Sequence, residues 1–465
     1  MMYVLYSLIV LSTCIILLYC LNLSQGYSEG QIALPSTTFL FSVWLIACAV
    51  WGPYFFVIRP PGIFDITIER ILFALVLLIL AVGIFGGAVD FSKNIITEVF
   101  MLLFIIICLA SMLRYGFRAA GPELPPPWTL PAPWNIFING YLFPFCVFLY
   151  AKNYLLSERS IIFVFKALFF LGVYLSIIAF FEFFNLRQFV FPRYINIPEI
   201  WLHLERARGP FLNAAYNGMA IIFGFVCGVH LVSRTQGFQK FAYIVSLSLF
   251  FPAVFFTQTR SIYLSFLLVL VVLLIFYKTS LPKWKLFALP IAFCLIFFLM
   301  FSPRLTSSER RAGGVYQVVE VRERILLIQR SVLMIADNPF LGVGLAQFIP
   351  ASLQRYKGRV PIPGATIEHV MHSHILGMLV ELGIIGTAIY LVITVAVLRH
   401  CFKLFKNFPE TGIISFNLAL IIFIVWISYY NNNLFVDPAY SLFVNVVPFL
   451  FGGIADGLYN KYLVT

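Results

Sequence analysis

Charge is what this sequence lacks most. Of its 465 residues only 11% are Asp, Glu, Lys or Arg, while 62% are hydrophobic. A soluble domain carries about 25% charged residues and 45–50% apolar ones. With a mean hydropathy of +0.97, the chain has more apolar side chain than a water-facing core could enclose. Lipid must cover most of it. The eight cysteines contain no Cys-x-x-Cys pair, so they read as small apolar core residues, with no disulfide framework and no zinc site. Also missing are a Walker A loop, a Gly-x-Gly-x-x-Gly turn, a Gly-x-Ser-x-Gly elbow and a His-Glu-x-x-His helix. Nothing points to nucleotide use or a bound cofactor. The formal charge of +12 is spread along the chain and is no nucleic-acid footprint. No solenoid repeat and no low-complexity tract appears.

What is present is a succession of hydrophobic runs. A helix needs about 20 apolar residues to cross about 30 Å of hydrocarbon. Thirteen runs qualify, near 2–22, 39–58, 70–89, 97–113, 134–151, 160–186, 213–233, 241–257, 260–277, 285–301, 373–398, 413–430 and 439–458. The first has no basic segment before it and no small-residue cleavage site after it, so it reads as a span and not as a signal peptide. The expected fold is all-α, a polytopic bundle of 12–13 transmembrane helices forming one domain over 1–465. Three connections are long: the Pro-rich 114–133, which cannot be a continuous helix, then 187–212, and the hydrophilic 302–372 with short helices of its own.

Lysine placement gives the bundle an inside. Ten of the eleven lysines fall on one side when the spans are numbered through, and only Lys357 falls on the other. The lysine side is therefore cytoplasmic, and all three long connections are external. That external side is rich in arginine instead, with Arg187, Arg193, Arg206, Arg208, Arg260, Arg304, Arg310, Arg311, Arg322, Arg324, Arg330, Arg355 and Arg359. Arginine without lysine suits planar, bidentate anion binding, as to a phosphate-bearing ligand at the outer leaflet.

Three external segments could carry chemistry. Arg206-Ala-Arg208-Gly209-Pro210-Phe211-Leu212-Asn213 turns into a span, with two arginines at a helix mouth where the dipole favours an anion. The plainer role for the pair is snorkelling to headgroups. Thr257-Gln258-Thr259-Arg260-Ser261 is so short a break that Arg260 must sit at or just below the membrane surface, where a charge is costly and usually functional. Glu368-His369-Val370-Met371-His372-Ser373-His374 runs straight into a span, and a histidine there can accept a proton near neutral pH. No acidic or cysteine cluster completes a metal site around it. Glu381 is nine residues beyond His372 and out of phase with it, so it is expected to satisfy a neighbouring helix.

Together these segments resemble the O-antigen ligase and polymerase superfamily. His372-Ser373 followed by MLVELGIIG is similar to its "HN…L-x-E-x-G-x-x-G" signature, with Ser373 in the asparagine position. Asp337-Asn338-Pro339-Phe340-Leu341-Gly342-Val343-Gly344 resembles its "D-x-P-x-x-G-x-G" segment. Thr259-Arg260-Ser261 resembles its "T-x-S-R" turn, and Arg206-x-x-Gly209 with Asn213 its "R-x-x-G-x-F-x-N". The likeness covers roughly 200–400. It implies a GT-C-like glycosyltransferase in the bacterial inner membrane, with its site facing the periplasm. The implied donor is a glycan on undecaprenyl pyrophosphate. The implied acceptor is a sugar hydroxyl, on lipid A core for a ligase or on a second lipid-linked glycan for a polymerase. No metal is implied. Carried onto this chain, His372, Arg260 and Arg206 become the expected catalytic residues, and Arg208, Asn213, Arg322, Arg330 and His374 the expected substrate-binding ones. The competing class is a lipid-linked glycan transporter, which should show broken helices at the midplane and matched halves. Against it, Glu182 and Glu381 are the main acidic residues within the spans, and no matched halves appear.

Overall fold

The computed structural model describes residues 36–52, 55–58, 66–87, 89, 95–117, 132–198, 203–279, 292, 299, 318–356, 358–359, 373–410 and 412–464. Inside hydrocarbon a backbone has to satisfy its own polar groups, and the apolar runs accordingly fold as helices. These are α1 (Ser36–Val50), α2 (Ile68–Phe85), α3 (Ile96–Tyr115), α4 (Pro133–Tyr154), α5 (Glu158–Phe183), α6 (Ala214–Val232), α7 (Gly237–Phe256), α8 (Arg260–Phe276), α9 (Val318–Asp337), α10 (His374–Asn407), α11 (Phe416–Asn433) and α12 (Leu442–Tyr462). Among the described residues the one sheet is a two-residue antiparallel pair, Val57–Ile58 with Ile66–Thr67.

Eleven of the thirteen expected spans fall on α1–α8 and α10–α12. The runs at 2–22 and 285–301 lie outside the described residues, apart from isolated positions. Eight of the described helices are long and apolar enough to cross a membrane: α2–α7, α10 and α12. Helices α1 and α8 are shorter. Helix α11 carries no charge but ends in Tyr429-Tyr430-Asn431-Asn432-Asn433.

The bundle has a clear centre. Helix α6 is buried along its whole length, and α12 nearly so. Both are rich in small residues on their contact faces. A Cβ at Gly224 would lie 2.8 Å from the Gly172 Cα of α5, and one at Gly453 would lie 2.3 Å from the Phe148 carbonyl oxygen of α4. Glycine thus lets the helix backbones touch, as small residues do between helices in lipid. Helices α2 and α3 instead expose most of their apolar side chains, including Leu78, Val82, Leu102 and Leu113, as lipid-facing helices do.

The two ends of the bundle differ in the way lysine placement anticipates. At one end Lys152 of α4 pairs with Glu98 of α3 and, at 2.7 Å, with Asp456 of α12. His400 of α10 lies 2.5 Å from the same aspartate. These groups are almost wholly buried, so each charge depends on its partner, and removing one partner would strand the others. Lys278, just past α8, pairs with Glu410, just past α10. The opposite end carries the arginines and the starts of α6, α8, α10 and α12.

Candidate functional site

The arginine end is assembled from loops that are held by their own backbones. In the 203–213 connection the Ala207 amide donates to the Phe256 carbonyl at 3.0 Å, which ties this loop to the end of α7. Glu182 of α5 accepts the Gly209 amide at 3.0 Å, and Asn217 of α6 donates to the Ala207 carbonyl at 3.0 Å. Arg208 points inward. It has no exposed surface, and its Nε and Nη2 donate to the Ile195 and Ile197 carbonyls. Gly209–Phe211 then makes one 3₁₀ turn, and Asn213 caps α6 by accepting the Ala215 and Tyr216 amides. Arg208 and Asn213 are therefore committed to building the loop.

Arg206 faces the other way. The 257–259 turn that follows α7 is closed by Thr257 Oγ1 on the Val254 carbonyl, Thr259 Oγ1 on the Thr257 carbonyl and Tyr263 Oη on the Phe255 carbonyl. This turn presents Arg260 as the first residue of α8, exposed, at the positive end of a helix. Arg324 of α9 completes a cluster of three guanidiniums. Burial holds Arg206 below the usual arginine value, and Arg260 and Arg324 push in the same direction, against Tyr263 and Glu205. Partial desolvation and Arg260 act likewise on Arg324. Among the described residues none of the three is ion-paired to a carboxylate. Like charges grouped beside a helix N-terminus favour an anionic ligand over a cationic one.

The second half of the site lies at the start of α10. Ser373 caps the helix on the Leu376 amide, and His374 is its first residue. The His374 ring is 1% exposed. Its Nδ1 lies 2.8 Å from Asp437 Oδ1, and its Nε2 has no hydrogen-bond partner among the described residues. Tyr141 stacks on it at 6.1 Å between centroids, and Tyr390 meets it edge-on at 5.5 Å. Asp437 is fixed in turn. Its side chain accepts the Ala439 amide at 3.0 Å, and its carbonyl accepts the Tyr216 hydroxyl at 2.6 Å. A π-helical turn in α4, Phe137–Leu142, packs Gly140 against Ala439. Such a bulge often marks a functional site. From the interior, Tyr429 donates to Asn445, which donates to the Pro438 carbonyl at 3.0 Å. The imidazole is thus held through one nitrogen by a fixed carboxylate, while the other nitrogen is buried and has no partner among the described residues.

Side-chain bonds join the two halves. Asn431 and Asn432 near the end of α11 donate to Ser265 of α8 at 2.7 and 2.6 Å, one turn beyond Arg260. Tyr216 links the start of α6 to Asp437.

A third feature holds α9 in place. The segment after α9 docks along α10 by main-chain bonds: Val343 N to Val380 O at 2.8 Å, Gly344 N to Glu381 O at 2.9 Å and Ile384 N to Pro339 O at 2.9 Å. The Glu381 carboxylate accepts the Ala346 and Phe348 amides at 2.9 and 3.2 Å. It thus satisfies this segment's backbone, where the sequence suggested a neighbouring helix. Gly342 and Gly383 both have positive φ, and a Cβ on either would sit 2.3–2.4 Å from the other strand's backbone. Tyr115 Oη on the Gly342 carbonyl and Ser111 Oγ on the Leu345 amide clamp the segment from α3. Arg330 braces α9 by donating to Ser352 at 2.7 Å.

Of the residues expected from sequence, the structure brings Arg206 and Arg260 together and places His374 at the same end. It buries Arg208 and Arg330 in supporting bonds and uses the half-buried Asn213 as a helix cap. His372 lies outside the described residues, as does the side chain of Arg322. Sequence reading singled out neither Asp437 nor Arg324. Asp437-Pro438 lies in the short turn before the last span, and a search for a carboxylate on the histidine side would have reached it.

Comparison with known families supports the reading. Residues 245–391 match the family model described as O-antigen ligase. The match takes in Arg260, Arg324, the docked segment, His374 and Glu381, and it leaves Arg206 and Asp437 outside. No curated protein matches the chain.

Proposed function

We propose that this multi-pass membrane protein, whose residues 245–391 match the O-antigen ligase family model, moves a glycan from undecaprenyl pyrophosphate to a sugar hydroxyl at its arginine end. The acceptor is lipid A core, which makes the chain the ligase of lipopolysaccharide assembly. Its membrane is the bacterial inner membrane, and its arginine end faces the periplasm. The observation that carries this reading is the grouping of Arg206, Arg260 and Arg324, none of them ion-paired among the described residues, at the same end of the bundle as the His374–Asp437 pair.

In the reaction the bond between the anomeric carbon and the pyrophosphate oxygen breaks as the acceptor oxygen bonds to that carbon. The acceptor hydroxyl gives up its proton, and undecaprenyl pyrophosphate leaves with the bonding electron pair. Negative charge grows on the leaving oxygen, and the guanidiniums are in place to stabilise it without rearranging. The acceptor proton goes to a histidine at the start of α10. The family resemblance assigns His372. His374 is the second candidate: Asp437 holds its Nδ1, and its Nε2 is buried with no partner among the described residues.

Replacing Arg260 tests the charge argument. In purified protein given lipid-linked glycan and acceptor, Arg260→Ala should lower transfer on the order of 10²–10³-fold, the loss typical of a removed transition-state donor. Arg260→Lys should recover only part of it, because a lysine keeps the charge without the planar fork. Wild-type turnover in Arg260→Ala would remove Arg260 from the mechanism.

A further inference from the structure

Helix α9 has an apolar face that the described residues leave open. Its inner face is formed by Leu327, Arg330, Ser331 and Met334, and it packs against a cluster with Phe348, Tyr356 and Val380. On the far side lie Ile325, Ile328 and Val332, which are 51%, 47% and 55% exposed. At about 100° per residue these three fall within about 60° of one another, with Arg324 and Gln329 at the edges of the strip. Just past the helix, Phe340 and Leu341 extend the strip and are also exposed. Helix α9 does not itself span, because Glu320, Arg322, Glu323, Arg324, Arg330 and Asp337 fall within its 20 residues.

The path of the strip shows what covers it. Phe340 is seated on α10, where the Ile385 amide meets its carbonyl. At that point α10 exposes Ile384 and Ile385, and further along it exposes Leu391, Val392 and Val395. This is the outward surface of a spanning helix, so it faces lipid. Arg399 marks the lysine end of the α10 apolar run, and at the arginine end the continuous helix begins at Ile384, just beyond the non-helical Gly383. Ile384 and Ile385 therefore lie just inside the hydrocarbon edge at the arginine end. Phe340 and Leu341 are level with that edge, and the α9 strip continues from them.

We propose that α9 lies on the bilayer as an interfacial helix, with Ile325, Ile328 and Val332 among the acyl chains of the leaflet at the arginine end and Arg324 level with the lipid phosphates. Bilayer lipid is the partner of this face. Amphipathic helices of this composition bind membrane surfaces in this way. The membrane then helps to position Arg324 beside Arg206 and Arg260. This holds whatever sugar chemistry the site performs.

The test uses the full chain in nanodiscs of phosphatidylcholine brominated near the headgroup end of its acyl chains. Val332→Trp is compared with the parent protein and with Gly358→Trp, a control at an exposed position with open space around it. The added fluorescence of Val332→Trp should be blue-shifted and quenched by the bromolipid, while that of Gly358→Trp stays unquenched. Ile328→Trp reads the same strip if Val332→Trp accumulates poorly. Quenching at 332 no stronger than at 358 would overturn the proposal. So would a blue shift without quenching, which would mean that a second copy or another protein covers the strip.

Discussion

Replacing His374 with alanine should lower glycan transfer on the order of 10²–10⁴-fold, the range for loss of a positioned general base. Asp437→Asn should follow it with a smaller loss, on the order of tenfold to a hundredfold. The amide keeps the shape of the carboxylate but no longer holds the imidazole through a charged acceptor. The two effects should not add, because Asp437 acts only through His374: the double variant should resemble His374→Ala alone. Neither variant should weaken binding of the lipid-linked donor, since neither residue belongs to the arginine cluster. His372→Ala is the decisive comparison, because the family resemblance assigns the proton to that residue. A deep loss in His372→Ala beside near-normal turnover in His374→Ala would return the role to His372 and leave the His374–Asp437 pair as a brace between α10 and the 434–441 turn.

The second large effect is expected at Gly383. Its φ is +66°, and a Cβ there would lie 2.3 Å from the Phe340 carbonyl oxygen. An alanine held at this positive φ carries about 1–2 kcal/mol of backbone strain, and its Cβ also pushes the docked segment off α10, at about 1–3 kcal/mol more. Gly383→Ala should therefore destabilise the 338–348 segment by about 2–5 kcal/mol. The readout is faster limited proteolysis of that segment, with transfer lowered because α9 and Arg324 lose their anchor. Gly87→Ala is the control. Gly87 has φ +70°, but nothing lies within 4 Å of an added Cβ, so only the backbone strain remains. Equal proteolysis in the two variants would show that the interlock does not hold the segment.

Much of the fold could be read from the sequence because lipid makes a simple demand. Each spanning backbone must be helical, so hydropathy alone located α1–α8 and α10–α12. Lysine placement separated the two ends, and the buried Lys152–Glu98–Asp456 group marks one of them. The site was legible only in part. Arg206 and Arg208 look alike in sequence, yet one joins Arg260 while the other is spent on the Ile195 and Ile197 carbonyls. Which one faces the site depends on how the loop is tied to Phe256 and Glu182, and those are contacts across the bundle. Asn213 carried a family motif, and its task proves to be a helix cap. The docking of 338–348 on α10 was visible only as a scatter of glycines, because main-chain groups make most of its bonds. Asp437 stayed hidden because it is 63 residues from His374 and only the fold brings them together.

The central claim is that charge on a pyrophosphate leaving group meets the arginine cluster while an acceptor hydroxyl meets the histidine. Purified protein should therefore be given undecaprenyl-pyrophosphate-linked glycan with lipid A core in one reaction and with a second lipid-linked glycan in another. Glycan appearing on lipid A core, with undecaprenyl pyrophosphate released in equal amount, is the predicted result. Product only in the second reaction would make the chain a polymerase, and no product in either, with donor instead moved across a vesicle membrane, would contradict the account.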